Sequence, residues 1–418
     1  MPDLSRRTAI LSTASVPAVV RRGTADRVRL AFVGVNSRGT DLAGSFAAFT
    51  DVDIVYACDP DERAIAKCAS AVARRRRPEP KGLRDFRRAL EDPHIDAVVI
   101  AAPDHWHAPA AILACAAGKH VYVEKPASHN AREGELMVAA ARKHNRVVQL
   151  GTQRRSSGIL NEVVQRLRSG AVGSIEFVRS WYAADRKGIG RGKAVPVPNW
   201  LDWNLWQGPA PETPYTDNMV HYNWHWRWSW GTGELGNNGI HALDLCRWGL
   251  GVDYPTKVSA MGTKNRYQDD DQETPDNCLA TFDFGGRMIH WEGKSRIVRG
   301  FEDSQFGAAF YGEGGTLITD GAGYRILDAK DKLVETKKGD WGQAEHCRNF
   351  LDSIRGAAKP NAEIEEGHKS TLLCHLGNIS VRTGRTLHID PSNGHIKGDR
   401  EAQSLWGRTY RRGWEPRV

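Results

Sequence analysis

The sequence holds no apolar run long enough to cross a bilayer, which argues against a membrane span. Cysteine is scarce: the seven residues are scattered, odd in number and mostly inside apolar segments, so they read as buried thiols without a disulfide frame. Internal repeats and low-complexity tracts are missing as well. Acids fall short of bases, leaving a formal charge of +8, yet most basic residues are dispersed among acids. The run Arg74 to Arg77 ends a predicted helix before Pro78 and reads as a solvated helix terminus, so no nucleic-acid partner is expected. What remains is a chain of 418 residues, 40% of them hydrophobic, long enough to bury two cores.

The first 26 residues stand apart. Ser5-Arg6-Arg7-Thr8 and the mildly apolar run to Val20 resemble a twin-arginine export signal, with a disordered basic arm as the alternative. Export by that route would place a folded protein in the periplasm. It would also require a tightly held cofactor, because free NAD is scarce there.

Val28 to Val33 is an apolar run of strand length that breaks at Gly34-Val35-Asn36-Ser37-Arg38-Gly39 before a helical stretch from Thr40 to Phe49. A pyrophosphate needs bare backbone N–H groups at a helix N-terminus, and glycines let it approach. The loop keeps the first and last glycine of the G-x-G-x-x-G pattern and puts Asn36 in the middle. A second apolar run, Ile54 to Cys58, ends in Asp59. A carboxylate there would accept the adenosine ribose hydroxyls and repel a 2′-phosphate, favouring NAD over NADP; it could equally cap the helix after Pro60. Arg38 could compensate a phosphate in part.

Ala97 to Ala102 reads as a strand buried inside a parallel sheet, ending at Pro103-Asp104-His105-Trp106-His107, where the cofactor crevice of a doubly wound sheet should lie. Asp104-x-x-His107 lacks further convergent ligands, so no metal site is read here. A helix from Ala108 to Ala117 follows, and the strand His120 to Val123 delivers Glu124-Lys125-Pro126. Together the loop at Gly34 to Gly39, Asp59, the strand end at Pro103 to His107 and Glu124-Lys125-Pro126 resemble the glucose-fructose oxidoreductase/inositol dehydrogenase/MocA superfamily over nearly all the chain after residue 27.

The resemblance implies an α/β protein: a Rossmann doubly wound parallel sheet over residues 27–152, then an α+β domain over 153–390 with a large, open, mostly antiparallel sheet that often mediates oligomerisation, and a tail over 391–418. A homodimer or homotetramer is expected. Cofactor contacts fall to Gly34, Asn36, Ser37, Arg38, Gly39, Asp59, Ala102, Pro103, His105, His107, Glu124, Lys125 and Gln153. Lys125 would project near the nicotinamide and the substrate hydroxyl. Family dehydrogenases often carry Asp-x-x-x-His in the second domain. Here His241 supplies the histidine and Asn237 stands in the carboxylate position, so the amide could orient the imidazole but could not raise its pKa. Lys125 and His241, with Asn237 beside them, are thus the candidate catalytic residues; His241 also fits a satisfied core histidine.

Between Val220 and Trp230 the chain packs four tryptophans and two histidines, with Trp200, Trp203 and Trp206 upstream. Aromatic faces bind the C–H faces of sugar rings, and polar neighbours satisfy hydroxyls, so a carbohydrate or polyol is the expected ligand. Trp224, His225, Arg227 and Asp244 are the candidate substrate contacts; core or interface packing fits any single tryptophan nearly as well. The expected activity is NAD-dependent hydride transfer at a sugar or polyol CH–OH. Some relatives are glycosidases that oxidise a sugar hydroxyl transiently and return the hydride, and a cofactor-binding sensor is a third reading.

Lys257 to Met261, Cys278 to Phe284 and Arg287 to Glu292 read as strands, the last two joined at Gly285-Gly286; Phe310 to Leu317 adds a strand and tight turn. Helices are expected at Gln343 to Ile354 and Glu365 to Val381.

Overall fold

The computed structural model describes residues 27–418; the twin-arginine-like segment lies outside them. The first layer is a six-stranded sheet of β1 (Val28–Val33), β2 (Val52–Cys58), β3 (Lys81–Leu83), β4 (Ala97–Ile100), β5 (His120–Val123) and β6 (Val148–Leu150), all parallel, in the order β3-β2-β1-β4-β5-β6. That is the doubly wound order, whose switch point lies between β1 and β4. Every residue of β4 is buried, as expected for a strand covered on both faces. Helices α1 (Arg38–Phe46), α2 (Glu62–Ala73), α3 (Arg87–Leu90), α4 (Asp104–Ala116) and α5 (Ala131–Lys143) complete the unit. The N-cap of α2 is Asp61, whose carboxylate accepts the Arg63 N–H at 2.8 Å, so Asp59 is left for another task.

A short 3₁₀ turn at Gln153–Ser156 and α6 (Gly158–Arg168) lead into β7 (Ile175–Ala183), α7 (Trp203–Gln207) and α8 (Ile240–Leu250). The second sheet adds β8 (Lys257–Thr263), β9 (Asn277–Asp283), β10 (Met288–Lys294), β11 (Phe306–Gly312), β12 (Gly315–Thr319), β13 (Gly323–Asp328) and β14 (Leu333–Lys338). After α9 (Gln343–Ile354) and α10 (Ile364–Thr383), it closes with β15 (Leu387–Ile389) and β16 (Ile396–Lys397), ten strands in the order β14-β13-β12-β11-β7-β10-β9-β8-β15-β16. Among the described residues of this second sheet only β7 and β10 pair in parallel; the hairpins, including β9-β10 over Gly285-Gly286, are antiparallel. Alternation along the strands buries Cys278, Ala280 and Phe282 of β9 and Ile289 and Trp291 of β10 against α8 and α10, while Met261 and Leu279 stay exposed on the other face.

Two returns tie the layers together. Helix α9 packs Cys347, Phe350 and Leu351 into the first core, with Phe350 edge-on to Phe46 and Tyr122. The segment after residue 390 is no free tail: it contributes β16 and α11 (Arg400–Ser404), then lays Trp414 edge-on to Trp106. Most of the tryptophan-rich stretch forms its own small core, in which Trp203 stacks on Trp206 at 4.8 Å and both meet Trp230.

Candidate active site

A cleft of about 370 Å³ opens at the carboxyl ends of β1, β2, β4 and β5, walled on its far side by the tryptophan-rich stretch and the start of α8. Gly34 holds φ +77°, and a Cβ there would lie 2.4 Å from the Ala102 Cα; at Gly39 a Cβ would lie 1.9 Å from the Gly34 carbonyl oxygen. Both positions therefore admit only glycine. Gly34, Asn36, Ser37 and Arg38 line the cleft, whereas Gly39 sits beneath the loop as its packing contact. Ser37 makes no side-chain cap, so the first N–H groups of α1 are not spent on it. This donor set at a helix N-terminus suits a pyrophosphate.

Asp59 lines the same cleft, its oxygens accepting the N–H groups of Val35 at 2.8 Å and Asp61 at 2.9 Å. Burial lifts its carboxyl above the ordinary range despite those bonds. Arg38 is committed elsewhere, donating to Glu124 and to Gln343, each at 2.7 Å. Two of its donor nitrogens, Nε and Nη2, are thus spent.

Glu124 and Lys125 enter from the end of β5. Burial alone would raise the Glu124 carboxyl, but Arg38 and Lys125 outweigh it and hold it below its ordinary value. The Lys125 ammonium donates to the Asn237 carbonyl at 2.8 Å and to its Oδ1 at 3.2 Å. That carbonyl is offered by a π-helical turn, Leu235–Gly239, leading into α8. Burial depresses the Lys125 pKa, against the pull of Glu124 and Asp104. Asn237 therefore serves Lys125, and its amide does not orient His241. His241 lines the cleft with Nδ1 buried and unpartnered among the described residues, and burial, Arg154, Lys125 and Arg38 together push it well below the usual imidazole range. A neutral imidazole and a lysine of lowered pKa face one cavity, which is the equipment of general acid–base chemistry at a hydroxyl.

Helix α4 starts at Asp104, one turn earlier than the sequence pattern suggests, and this decides which side chains face the cleft. Ala102, Pro103, Asp104 and His107 line it. His107 Nδ1 lies 2.6 Å from the Pro126 carbonyl oxygen and Nε2 2.7 Å from that of Ala102, clamping β4 to the residue after Lys125. His105 turns away: fully buried, its Nε2 sits 3.0 Å from the Trp206 carbonyl, and burial with the Arg408 cation drives it down to about 3. It does not line the cleft, against the expectation that it contacts the cofactor.

Gln153, Trp224 and His225 also line the cleft, with His225 stacked on Trp224 at 3.6 Å. Arg227 and Asp244 lie outside it. Arg227 is held by Asp271 at 2.7 Å, and Asp244 forms a two-bond buried pair with Arg155 at 2.9 and 2.7 Å, reinforced by Ser370. Both are occupied in structure, because a buried guanidinium demands a carboxylate. Arg84 to Phe86 and Leu205, which the sequence pattern does not single out, line the cleft too, as do Trp206, His221 and Tyr222 of the aromatic stretches. The first three follow β3, so the rule that ligands gather at strand carboxyl ends could have found them. No group of three or more His, Cys, Asp or Glu side chains among the described residues is placed to hold a metal ion.

A doubly wound sheet with this cleft, backed by a ten-stranded sheet domain, is the architecture of a dinucleotide-binding α/β protein. Residues 28–152 match the NAD-binding Rossmann fold of the oxidoreductase family, and residues 174–416 match its C-terminal alpha/beta domain. The chain belongs to the Gfo/Idh/MocA family. It is similar to a glycosyl hydrolase family 109 protein of Saccharopolyspora erythraea, 29% identical over 180 residues, a stretch that is 42% of this chain and 39% of the relative's length. Its fold is shared with the aldose-aldose oxidoreductase of Caulobacter crescentus, solved with glycerol (TM-score 0.68, 18% identity, 87% and 100% of the two chains). It is shared equally with the WlbA dehydrogenase of Bordetella pertussis, solved with NADH and UDP-GlcNAcA (TM-score 0.68, 20% identity, 87% and 99%).

Proposed function

We propose that the protein transfers a hydride between NAD and a carbinol carbon of a sugar or polyol. The observation that carries this reading is the meeting of Lys125 and His241 in the cleft that begins at the Gly34 loop. The bound nicotinamide would supply the hydride chemistry, with its pyrophosphate on the Gly34 to Arg38 loop and its adenosine ribose on Asp59. Lys125 and His241 hold the substrate hydroxyl between them, one taking its proton and the other polarising the oxygen as the carbonyl forms. Asn237 fixes the ammonium through two hydrogen bonds, and Glu124, neutralised by Arg38, sets the local charge. Trp224 and the half-exposed Tyr222 present aromatic surface to a sugar ring. NAD is preferred over NADP because Asp59 repels a 2′-phosphate and Arg38 is already paired. Self-association through the open face of the second sheet, where Met261 and Leu279 are exposed, belongs to the same reading.

A second reading, a glycosidase that oxidises a sugar hydroxyl transiently and takes the hydride back, is favoured by the similarity to the family 109 protein. One optical experiment separates the two. Purified protein is mixed with free sugars, polyols and aryl glycosides while reduced-nicotinamide absorbance and aglycone release are followed together. Absorbance that rises by one equivalent and continues only with added NAD supports the dehydrogenase. Aglycone released over many turnovers without net NADH makes the protein a redox-cycling glycosidase, and neither signal across the panel contradicts both.

A further inference from the structure

A second cavity of about 360 Å³ lies behind the cleft, between the start of α5, the segment Trp228 to Thr232, helix α10 and the chain after Ser404. Its volume falls in the range of small-molecule sites, about 300–1,000 Å³. Arg382 and Arg408 line it, and among the described residues no aspartate or glutamate does. Arg408 is matched by Glu133 at 2.7 Å. Arg382 makes no ion pair or hydrogen bond among the described residues; the Glu273 carboxylate, which accepts the Trp228 N–H at 2.7 Å, acts on it only through space, and its guanidinium lies over the Trp228 ring, 5.3 Å from the centroid. A guanidinium held beside an indole in this way keeps its fork of N–H donors available, which suits a planar or tetrahedral oxyanion.

Two residues of the surrounding wall carry buried donors that have no partner among the described residues. Asn130 Oδ1 accepts the Glu133 N–H at 3.0 Å as the cap of α5, which fixes the amide and leaves Nδ2 without a partner. Arg408 Nε and Nη1 are likewise unpartnered, with the side chain only 9% exposed. Buried donors left this way are costly, and an oxyanion supplies the lone pairs they lack. His129 adds the opposite character. Its Nε2 lies 2.9 Å from the Trp228 carbonyl oxygen and so carries the proton, leaving Nδ1 as an unpartnered acceptor suited to a hydroxyl.

We infer that this cavity is a second ligand site, distinct from the cofactor cleft, for a small hydroxylated oxyanion such as a sugar acid or a sugar phosphate. Arg382 is its charge anchor. The site shares a wall with the cleft: Thr232 lines the cavity, and its hydroxyl donates at 2.6 Å to Asp104, which lines the cleft beside Lys125.

The test is calorimetric titration of the full-length protein, with and without saturating NADH, using gluconate, glucose 6-phosphate, inorganic phosphate and neutral glucose, with tryptophan emission followed in parallel. The expected result is one equivalent of a hydroxylated anion bound whether or not NADH is present, weakened at least about tenfold in Arg382→Gln, with NADH affinity unchanged. Arg382→Lys keeps the charge without the planar fork and is expected to fall between the two. Tighter binding of glucose 6-phosphate assigns a phosphate ester, and tighter gluconate a sugar acid. Anion binding that NADH abolishes, that needs concentrations beyond about 10 mM, or that is equal in wild type and both variants overturns the proposal.

Discussion

Replacing Asn237 by aspartate puts a carboxylate where this chain has an amide, and its effect can be worked from one distance. The Asn237 Oδ1 lies 3.2 Å from the Lys125 ammonium. With an effective dielectric of about 20, unit charges at that separation attract by about 5 kcal/mol, a ceiling that water in the open cleft and the new carboxylate's own desolvation reduce. An opposite charge this close raises the pKa of a cation by about 1 to 3 pH units. In the wild type, burial holds Lys125 below its ordinary value, so the substitution opposes that depression. The limb of the pH profile governed by Lys125 should therefore move to higher pH by about 1 to 3 units in Asn237→Asp. The assay is kcat/KM against pH with the substrate found in the optical panel, with NADH binding measured as the control for an intact cleft. A limb that stays put or moves to lower pH, with NADH binding intact, refutes the assignment of Asn237 as the residue that fixes and tunes Lys125.

Gly34→Ala should weaken NADH binding by more than about tenfold, because a Cβ at φ +77° would stand 2.4 Å from the Ala102 Cα and displace the loop; fluorescence titration with NADH checks it. Asp59→Ala should cost NADH about 1.5–3 kcal/mol of binding, the value of a hydrogen bond to a charged group, and narrow the preference over NADPH; parallel titrations with the two cofactors decide. Arg155→Ala strips the buried Asp244 of its cation and should destabilise the fold by about 3–5 kcal/mol, read by denaturant unfolding. Burial alone would raise the Asp244 carboxyl, but Arg155 and Ser370 hold it low, so its contribution is present above the unfolded value of about 3.9 and is lost as pH falls through the lower folded value. The variant should consequently unfold at a higher pH than wild type in acid titration.

The first domain was legible because its signals are local. A parallel strand reads as an unbroken apolar run, and β1 and β5 fall on Val28–Val33 and His120–Val123 as their composition predicts. The phosphate loop and the Lys125 strand end follow from the same runs, since chain order fixes which strand ends share an edge. Helix Gln343–Ile354 was equally clear, but not that it would turn back to complete the first core through Phe350, because that pairing depends on sequence-distant surfaces. The side chains of α4 and α8 show the other boundary. Spacing placed His105 and Asp244 near the site, but a one-turn shift in the start of α4 sends His105 to Trp206, and a buried arginine of the turn between the two domains claims Asp244. The role of Asn237 was hidden in the same way: its π turn aims both carbonyl and amide at Lys125, and nothing in the local sequence specifies that geometry. Tryptophan-rich composition was ambiguous for a physical reason, since an aromatic face packs against a ring of sugar or of protein alike; Trp203, Trp206 and Trp230 satisfy one another, and Trp206 and Trp224 also reach the cleft.

The measurement closest to the central claim is isotopic. A substrate from the optical panel, deuterated at the reacting carbinol carbon, is mixed with one equivalent of NAD-loaded protein, quenched in a single turnover, and the nicotinamide is recovered for mass analysis. Hydride transfer at the Lys125 cleft predicts one deuterium in the reduced nicotinamide from wild type and none from Lys125→Met. Substrate consumed with no label in the nicotinamide, or equal labelling by the Lys125→Met variant, would contradict the account.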